Sequence, residues 1–266
     1  MKDYEARNQY FLQRRTPVAI RVDMKSGHTF TKGFQRPFDE VFVKSMQQTA
    51  KFMCENIQGA VLSFQQSDEI TIILQDYKNL NTDAWFNYRT DKMCSIAASM
   101  ATMAFNRFFK LESYEVMRMA HPCKISESYK EYVDALSRAA AKGAMFDARV
   151  FNIPKEEVTN LIYWRQLDAS RNSIQMVGQA NFSHKELQHK SCNDIQNMLL
   201  TERDINWNDY PVDLKRGSCC IKNYTVIDPY GNHKFIATDE TWVIDHEIPI
   251  FKDEGREYIE QLINFY

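Results

Sequence analysis

Two strand-like segments that both end in acids constrain this chain more than any other feature. The first is TPVAIRVD, residues 16–23; the second is AVLSFQQSDEITIIL, residues 60–74, which carries Ser67, Asp68 and Glu69 at a polar tip between two apolar runs. In the first, period-two alternation puts Val18, Ile20 and Val22 on one face and Arg21 and Asp23 on the other. The second has the form of a hairpin. An acid at a strand end ordinarily keeps a turn solvated. Two such acids brought side by side by strand pairing make a different object, a seat for the divalent cations of phosphoryl transfer.

The intervening chain fits that pairing. Residues 39–57 repeat Phe42, Met46, Ala50, Met53 and Ile57 at helical spacing, a stripe suited to packing on a sheet. A second long helix is predicted over residues 83–109, with Met93, Ile96, Ala97, Met100, Ala101 and Ala104 on one side, and a closing strand over residues 144–152. Strand, helix, hairpin, helix, strand is the order of a split βαβ, ferredoxin-like unit. Residues 110–143 give no clear pattern. From residue 154 a helical pattern runs unbroken for more than twenty residues, and Ser183-His184-Lys185-Glu186 then reads as a capping box. After about residue 206 the composition turns to Tyr, Thr and Val, with Asp228-Pro229-Tyr230-Gly231-Asn232 as a hairpin turn. The expected fold is therefore α+β: a palm-like antiparallel sheet with packed helices over residues 1–152, continuous with a helical part and a small β-rich tail over 153–266.

Composition removes several classes. A hydrophobic share of 44% with 13% aromatic residues in 266 residues argues for a packed core, and no apolar run approaches the ~18 residues of a membrane helix. The N-terminus is charged from its second residue and lacks an apolar leader, so a cytoplasmic location is expected. Cys54, Cys94, Cys123 and Cys192 are scattered and Cys219-Cys220 are adjacent, which matches no zinc spacing. The formal net charge of −2 demands that any nucleic-acid contact come from a local basic patch. The sequence offers Arg14-Arg15, Lys32 with Arg36, Arg89 with Lys92, Lys185 with Lys190, and Lys215-Arg216.

TPVAIRVDMKSGHTF, FQRPFD, QQSDEITIIL, FDARVF and YWRQLDASRNS, in this order and approximate spacing, resemble the tRNA(His) guanylyltransferase superfamily across roughly residues 10–220. The chain looks most like its bacterial-type guanylyltransferase-like branch, whose members act as 3′→5′ nucleotidyltransferases on tRNA. That resemblance implies two Mg²⁺ ions, ATP, GTP and other nucleoside triphosphates as substrates, a tRNA partner, no membrane association and a homotetramer. It also implies roles for individual residues. Asp23 and Asp68 would be catalytic metal ligands with the Met24 carbonyl, and Glu69 would orient the site. Lys25, Ser26, Gly27, His28, Arg36, Ser67, Arg89 and Lys92 would contact nucleotide; Arg149, Arg165, Asn172, Ser173 and Lys185 would contact RNA.

Departures from the family pattern carry information. Asp-Met-Lys stands at residues 23–25 where the family has Asp-Gly-Arg, and Lys25 cannot reproduce a bidentate arginine contact. Ala148 replaces a glycine before Arg149. Ser170-Arg171-Asn172-Ser173-Ile174-Gln175-Met176 stands where guanosine-adding enzymes carry His-Ile-Asn-Asn-Leu-Tyr-Asn. Arg165, Asp168 and Asn172 form a polar stripe in an otherwise apolar helix, beside a second one of Gln166, Ser170 and Ser173; buried polar stripes need partners, and an RNA 5′ end is expected to supply them. These features favour template-dependent repair of truncated tRNA 5′ ends. The alternatives are tRNA(His) guanylyltransferase activity, a palm-fold cyclase or nucleotidyltransferase acting on free nucleotides, and a non-catalytic RNA-binding protein.

Overall fold

Alternation in the first strand divides the protein into two layers of core. The computed structural model describes residues 1–119, 126–227 and 237–264, without the side chains of residues 224–227 and 237–239. In chain order the elements are α1 (Lys2–Ala6), β1 (Val18–Met24), α2 (Gly27–Phe30), α3 (Glu40–Asn56), β2 (Ala60–Gln66), β3 (Glu69–Leu74), α4 (Thr90–Met119), α5 (Glu127–Lys142), β4 (Phe146–Asn152), α6 (Val158–Asn181), α7 (His184–Leu187), α8 (Cys192–Arg203), α9 (Val212–Arg216), β5 (Ser218–Ile227), β6 (Ala237–Asp245) and α10 (Arg256–Asn264). The strands form one sheet, ordered β4-β1-β3-β2-β5-β6, with every neighbouring pair antiparallel. Its first four strands are the expected split βαβ unit, and the C-terminal hairpin extends the same sheet from the edge of β2.

Val18, Ile20 and Val22 of β1 join Ile70 and Ile72 of β3 in one core, with Phe42, Met46 and Met53 of α3 and Met93, Ala97, Ala101 and Phe105 of α4. Ala19, Leu62, Phe64 and Ile73 point the other way, into a core closed by Val158 and Ile162 of α6 and Ile259 and Ile263 of α10. The aromatic rings of Phe30, Phe34, Phe42, Phe105, Phe109 and Phe146 form one connected group, with centroids 5.1–5.8 Å apart in the Phe30–Phe109, Phe34–Phe109, Phe30–Phe105, Phe42–Phe105 and Phe105–Phe146 pairs. This group fastens the segment after β1 to α3, α4 and β4. Among the described residues no helix is long and apolar enough to cross a membrane.

Several boundaries differ from the sequence reading. The helix expected over 83–109 begins at Thr90, because Phe86, Asn87 and Tyr88 have positive φ and close a tight turn before it, and it continues to Met119. The unpatterned 110–143 stretch holds the end of α4 and all of α5. There Ser126 accepts a hydrogen bond from the Tyr129 N–H as N-cap, and Gly143 ends the helix at φ +71°. β4 begins at Phe146, since the Asn106 side chain claims both the N–H and the carbonyl of Ala144. The turn expected at 228–232 lies outside the described residues, although β5 and β6 pair on either side of it. Cys123 also lies outside them. Replacing Phe105, fully buried and touching four of the other rings, by Ala should cost about 3–5 kcal/mol in urea unfolding; a loss below about 1 kcal/mol would show that the aromatic group does not hold the loop.

Candidate nucleotidyl-transfer site

Strand register lines the charged residues of the second face up in rows. Asp23 lies opposite Asp147 on β4 and Glu69 on β3, and Glu69 lies opposite Gln66 on β2. Two residues along, Arg149, Arg21 and Thr71 form the next row, and Phe151, Ala19, Ile73 and Leu62 the one after. Side chains two apart on a strand share a face, so an acidic row, a basic row and an apolar row follow one another toward the core beneath α6. The hairpin tip closes over the acidic end. Ser67 adopts φ +48°, and the Met24 N–H donates to the Asp68 carbonyl at 3.1 Å.

That closure sets Asp23 and Asp68 against each other. Burial pushes the Asp68 carboxyl above its ordinary range and the charge of Asp23 pushes it further. Burial also raises Asp23, with Asp147 adding to it while Arg149 and Arg21 oppose. Gly27 presses on the same group: a Cβ there would stand 2.0 Å from Asp68 Oδ2. The glycine is required because α2 packs its backbone directly on the carboxylate. Two desolvated like charges held together are relieved by a proton or by a cation between them. Among the described residues no three His, Cys, Asp or Glu side chains gather in a way that would hold a metal ion, so any ion here would rely on the two carboxylates, backbone oxygen and substrate phosphate, a donor set that suits Mg²⁺.

A cleft of about 340 Å³ opens beside Asp68. Gly27, His28, Lys32 and Arg36 line one wall, Ser67 and Asp68 the floor, and Met176 and Gln179 of α6 the other wall. Its first wall is pinned by Asp39, whose carboxylate accepts from the N–H groups of Gln35 and Phe42 at 3.2 and 2.9 Å. Asn172 lines an adjoining recess of about 70 Å³ that shares Ser67 and Met176 with the cleft.

A family model described as tRNA(His) guanylyltransferase matches residues 1–154, more than half of the chain. The chain belongs to the tRNA(His) guanylyltransferase family. Its members are nucleotidyltransferases that add nucleotides in the 3′→5′ direction, and the protein is an enzyme of that kind. A solved bacterial tRNA(His) guanylyltransferase-like protein in complex with ATP is 39% identical, with a TM-score of 0.80 over 99% of this chain and 96% of that one. A GTP complex of such a protein gives 36% and 0.75, with the same coverage. The tRNA(His) guanylyltransferase of Saccharomyces cerevisiae is 25% identical over 219 residues, 76% of this chain and 80% of that protein. An uncharacterised protein of Acanthamoeba polyphaga mimivirus is 26% identical over 242 residues, 87% of this chain and 79% of its own.

Within this family frame the structure gathers some expected site residues and separates others. Asp23, Met24, Gly27, Ser67 and Asp68 converge, and His28 and Arg36 face the same cleft. Lys25 and Ser26 are exposed beside it, the Lys25 N–H held by the Met145 carbonyl at 2.8 Å. Arg149 is exposed on the palm face, 3.6 Å from Asp147. Lys185 is exposed on α7. Arg89 and Lys92 do not reach the site. β3 runs away from Asp68, so the helix after it starts at the far end of the sheet, roughly 17 Å along five strand residues. There Arg89 pairs with Asp91 and bridges to Phe11, while Arg14 binds Asp76 just beyond β3. The expected nucleotide contact by Arg89 and Lys92 is therefore corrected.

The polar stripes on α6 also find their partners inside the protein. Arg165 is buried and donates to both Glu69 oxygens, at 2.7 and 3.0 Å, and to Asp168 at 2.9 Å, with the Trp164 ring 4.6 Å away. Its guanidinium is thereby committed to the protein instead of offered to RNA. Glu69 holds this arginine; burial raises its carboxyl and Arg165 draws it back. Ser173 donates to the Lys215 carbonyl at 3.0 Å and accepts from Trp207 Nε1 at 3.0 Å, and Gln166 spans the Pro249 carbonyl and the Phe251 N–H. Ser173 is thus an internal linker, which corrects its expected RNA contact. Asp147 was missed by the sequence reading, and Arg21, placed there on the face of Asp23, was given no part in the site. Alternation in FDARVF puts Asp147 on the face of Arg149, but its place beside Asp23 comes from pairing across more than 120 residues.

The repulsion between Asp23 and Asp68 has a sign that can be measured. A carboxyl raised in the folded state stabilises the fold at pH below its unfolded value of 3.8, and that stability is lost as pH rises through the raised value. Asp68→Asn should therefore raise the melting temperature in metal-free buffer near neutral pH, while Mg²⁺ should stabilise the parent protein and not the variant; a lowered melting temperature in metal-free buffer would contradict the geometry. Gly27→Ala must displace the Asp68 carboxylate, so nucleotide addition should fall about a hundredfold with little change in melting temperature. Unchanged activity would count against the close approach.

Proposed function

We propose that the protein extends truncated tRNA 5′ ends, taking each added nucleotide by pairing with the opposite strand. The observation that carries this reading is Asp68, coupled to Asp23, at the floor of a cleft whose far wall, α6, lacks the histidine-bearing signature at residues 170–176. The 39% identity to a bacterial guanylyltransferase-like protein over nearly the whole chain, against 25% to the yeast enzyme, supports the same branch.

Mg²⁺ would be held by Asp23, Asp68 and the Met24 carbonyl, and when bound it supplies charge neutralisation on the attacking and leaving oxygens. The remaining work falls to the chain itself. His28, Lys32 and Arg36 line the wall where a triphosphate would lie, and the cations can pair its oxygens. Asn172 and Met176 border the recess next to it, placed to meet a base. Arg149 and Arg21 stand behind the acidic row, where the 5′ phosphate of the RNA would approach. A 5′-monophosphorylated RNA is first activated when its 5′ phosphate oxygen attacks the α-phosphorus of ATP or GTP, forming a phosphoanhydride and expelling pyrophosphate. The 3′-hydroxyl of the incoming nucleotide then attacks the RNA 5′ phosphorus, forms the new phosphodiester, gives up its proton and expels AMP or GMP. An RNA that already carries a 5′ triphosphate enters at the second step.

Incubation with Mg²⁺, all four nucleoside triphosphates and a tRNA lacking its first 5′ nucleotide tests the reading, with Asp23→Ala as the inactive control. The base opposite the gap should dictate the nucleotide added, and changing that base should change the product, with a preference of about ten- to a hundredfold from unmade hydrogen bonds at a mispaired end. Addition of guanosine opposite every base, with full-length tRNA(His) preferred, would overturn it.

A further inference from the structure

Beside the candidate site lies a second cleft whose charged lining residues are all cations. About 370 Å³ in volume, it lies between the segment after β1, through Thr29, Phe30, Lys32 and Gly33, and α5, through Ala135, Arg138, Ala139 and Lys142. Lys32 lines both this cleft and the one beside Asp68, so the two are neighbours along one trough. The α5 residues recur at helical spacing on one face. Ala135 and Ala139 are small and buried, and Ala135 meets Gly33 closely enough that a Cβ on that glycine would come within 3.0 Å. The close approach leaves Arg138 and Lys142, both exposed, standing at the rim opposite Lys32.

Several other basic residues of the chain are already committed to partners inside the protein. Arg14 is spent on Asp76, Arg89 on Asp91, and Lys215 is buried against the Asn208 carbonyl. Among the described residues the side chains of Lys32, Arg138 and Lys142 make no ion pair or hydrogen bond. The acids of α5 do not compensate, since Glu127 pairs with Lys130 and neither Glu131 nor Asp134 lines the cleft. A helix C-terminus favours a cation such as Lys142, but that leaves Lys32 across the gap unexplained. In a protein of net charge −2 this is a focused positive field beside the site. Its one aromatic ring, Phe30, is buried in the aromatic group and offers no stacking surface. Single strands are gripped by stacking and duplex RNA by its backbone, so the cleft is built for a duplex.

We propose that Arg138 and Lys142 of α5, with Lys32 opposite, bind the phosphate backbone of the base-paired stem whose 5′ end reaches Asp68. The assignment rests on the RNA reading above and gives α5 a function. The test uses the full-length protein and a labelled stem-loop RNA lacking its first 5′ nucleotide, with binding followed by fluorescence anisotropy across a series of potassium chloride concentrations. In the double variant Arg138→Gln/Lys142→Gln affinity should drop about tenfold or more, and the slope of log affinity against log salt should shrink by about one to two, one lost phosphate contact per cation. ATP affinity and melting temperature should stay as in the parent, and Arg138→Lys/Lys142→Arg should retain the slope. An unchanged slope in the Gln variant would overturn the proposal, as would an equal loss for an unpaired oligonucleotide of the same length. Nucleotide addition on the same stem-loop separates the two readings. Weakened binding without addition by the parent protein would leave the stem contact standing and refute the repair activity; addition with undiminished binding would do the reverse.

Discussion

Two carboxylates that repel each other are held at one end of the sheet by backbone that gives them no room to part. The Met24 N–H fixes the hairpin tip to the end of β1, and Gly27 lays α2 on the Asp68 carboxylate. Everything around this pair serves to keep it in place. The aromatic group anchors the segment that carries Gly27, His28 and Lys32, Asp39 pins the end of that segment, and the cleft lies between it and α6. Apolar packing and strand pairing, worth far more in sum, allow the fold to carry a local electrostatic cost.

The Arg165–Glu69 fork is the second structural decision. It sits one strand over from Asp23 and buries a charged pair where sheet meets α6. Losing either partner would strand a charge, so the pair fixes how α6 lies on the sheet. Because Asn172 and Met176 ride on the same helix, that orientation also sets the far wall of the cleft. Ser173 and Gln166 fasten the helix on its other side to the C-terminal segments. The tail thus takes part in positioning the site.

Much of this was legible before any coordinates. Alternation in residues 16–23, the stripe of α3 and the hairpin around Asp68 are local patterns, and their order implied the split βαβ sheet. Where reading depended on long-range register it stopped short: Asp147 was not singled out because its neighbour Asp23 is 124 positions away. The α6 stripes were recognised as needing partners, but sequence does not say whether Glu69 or RNA answers Arg165. Arg89 and Lys92 could have been placed correctly from topology alone, since a helix that follows an outgoing strand begins at the opposite end of the sheet. α5 escaped notice because Ala-rich stretches carry a faint hydrophobic signal, although Ser126 and Gly143 marked both of its ends.

The central claim is that Asp23 and Asp68 together form the seat of a divalent cation shared with nucleotide. Manganese can stand in for magnesium, and its binding in the presence of ATP can be followed by electron paramagnetic resonance. The account predicts that the parent protein with ATP takes up manganese and that Asp23→Asn and Asp68→Asn each abolish protein-bound manganese while the fold survives. Manganese uptake undiminished in either variant would contradict it.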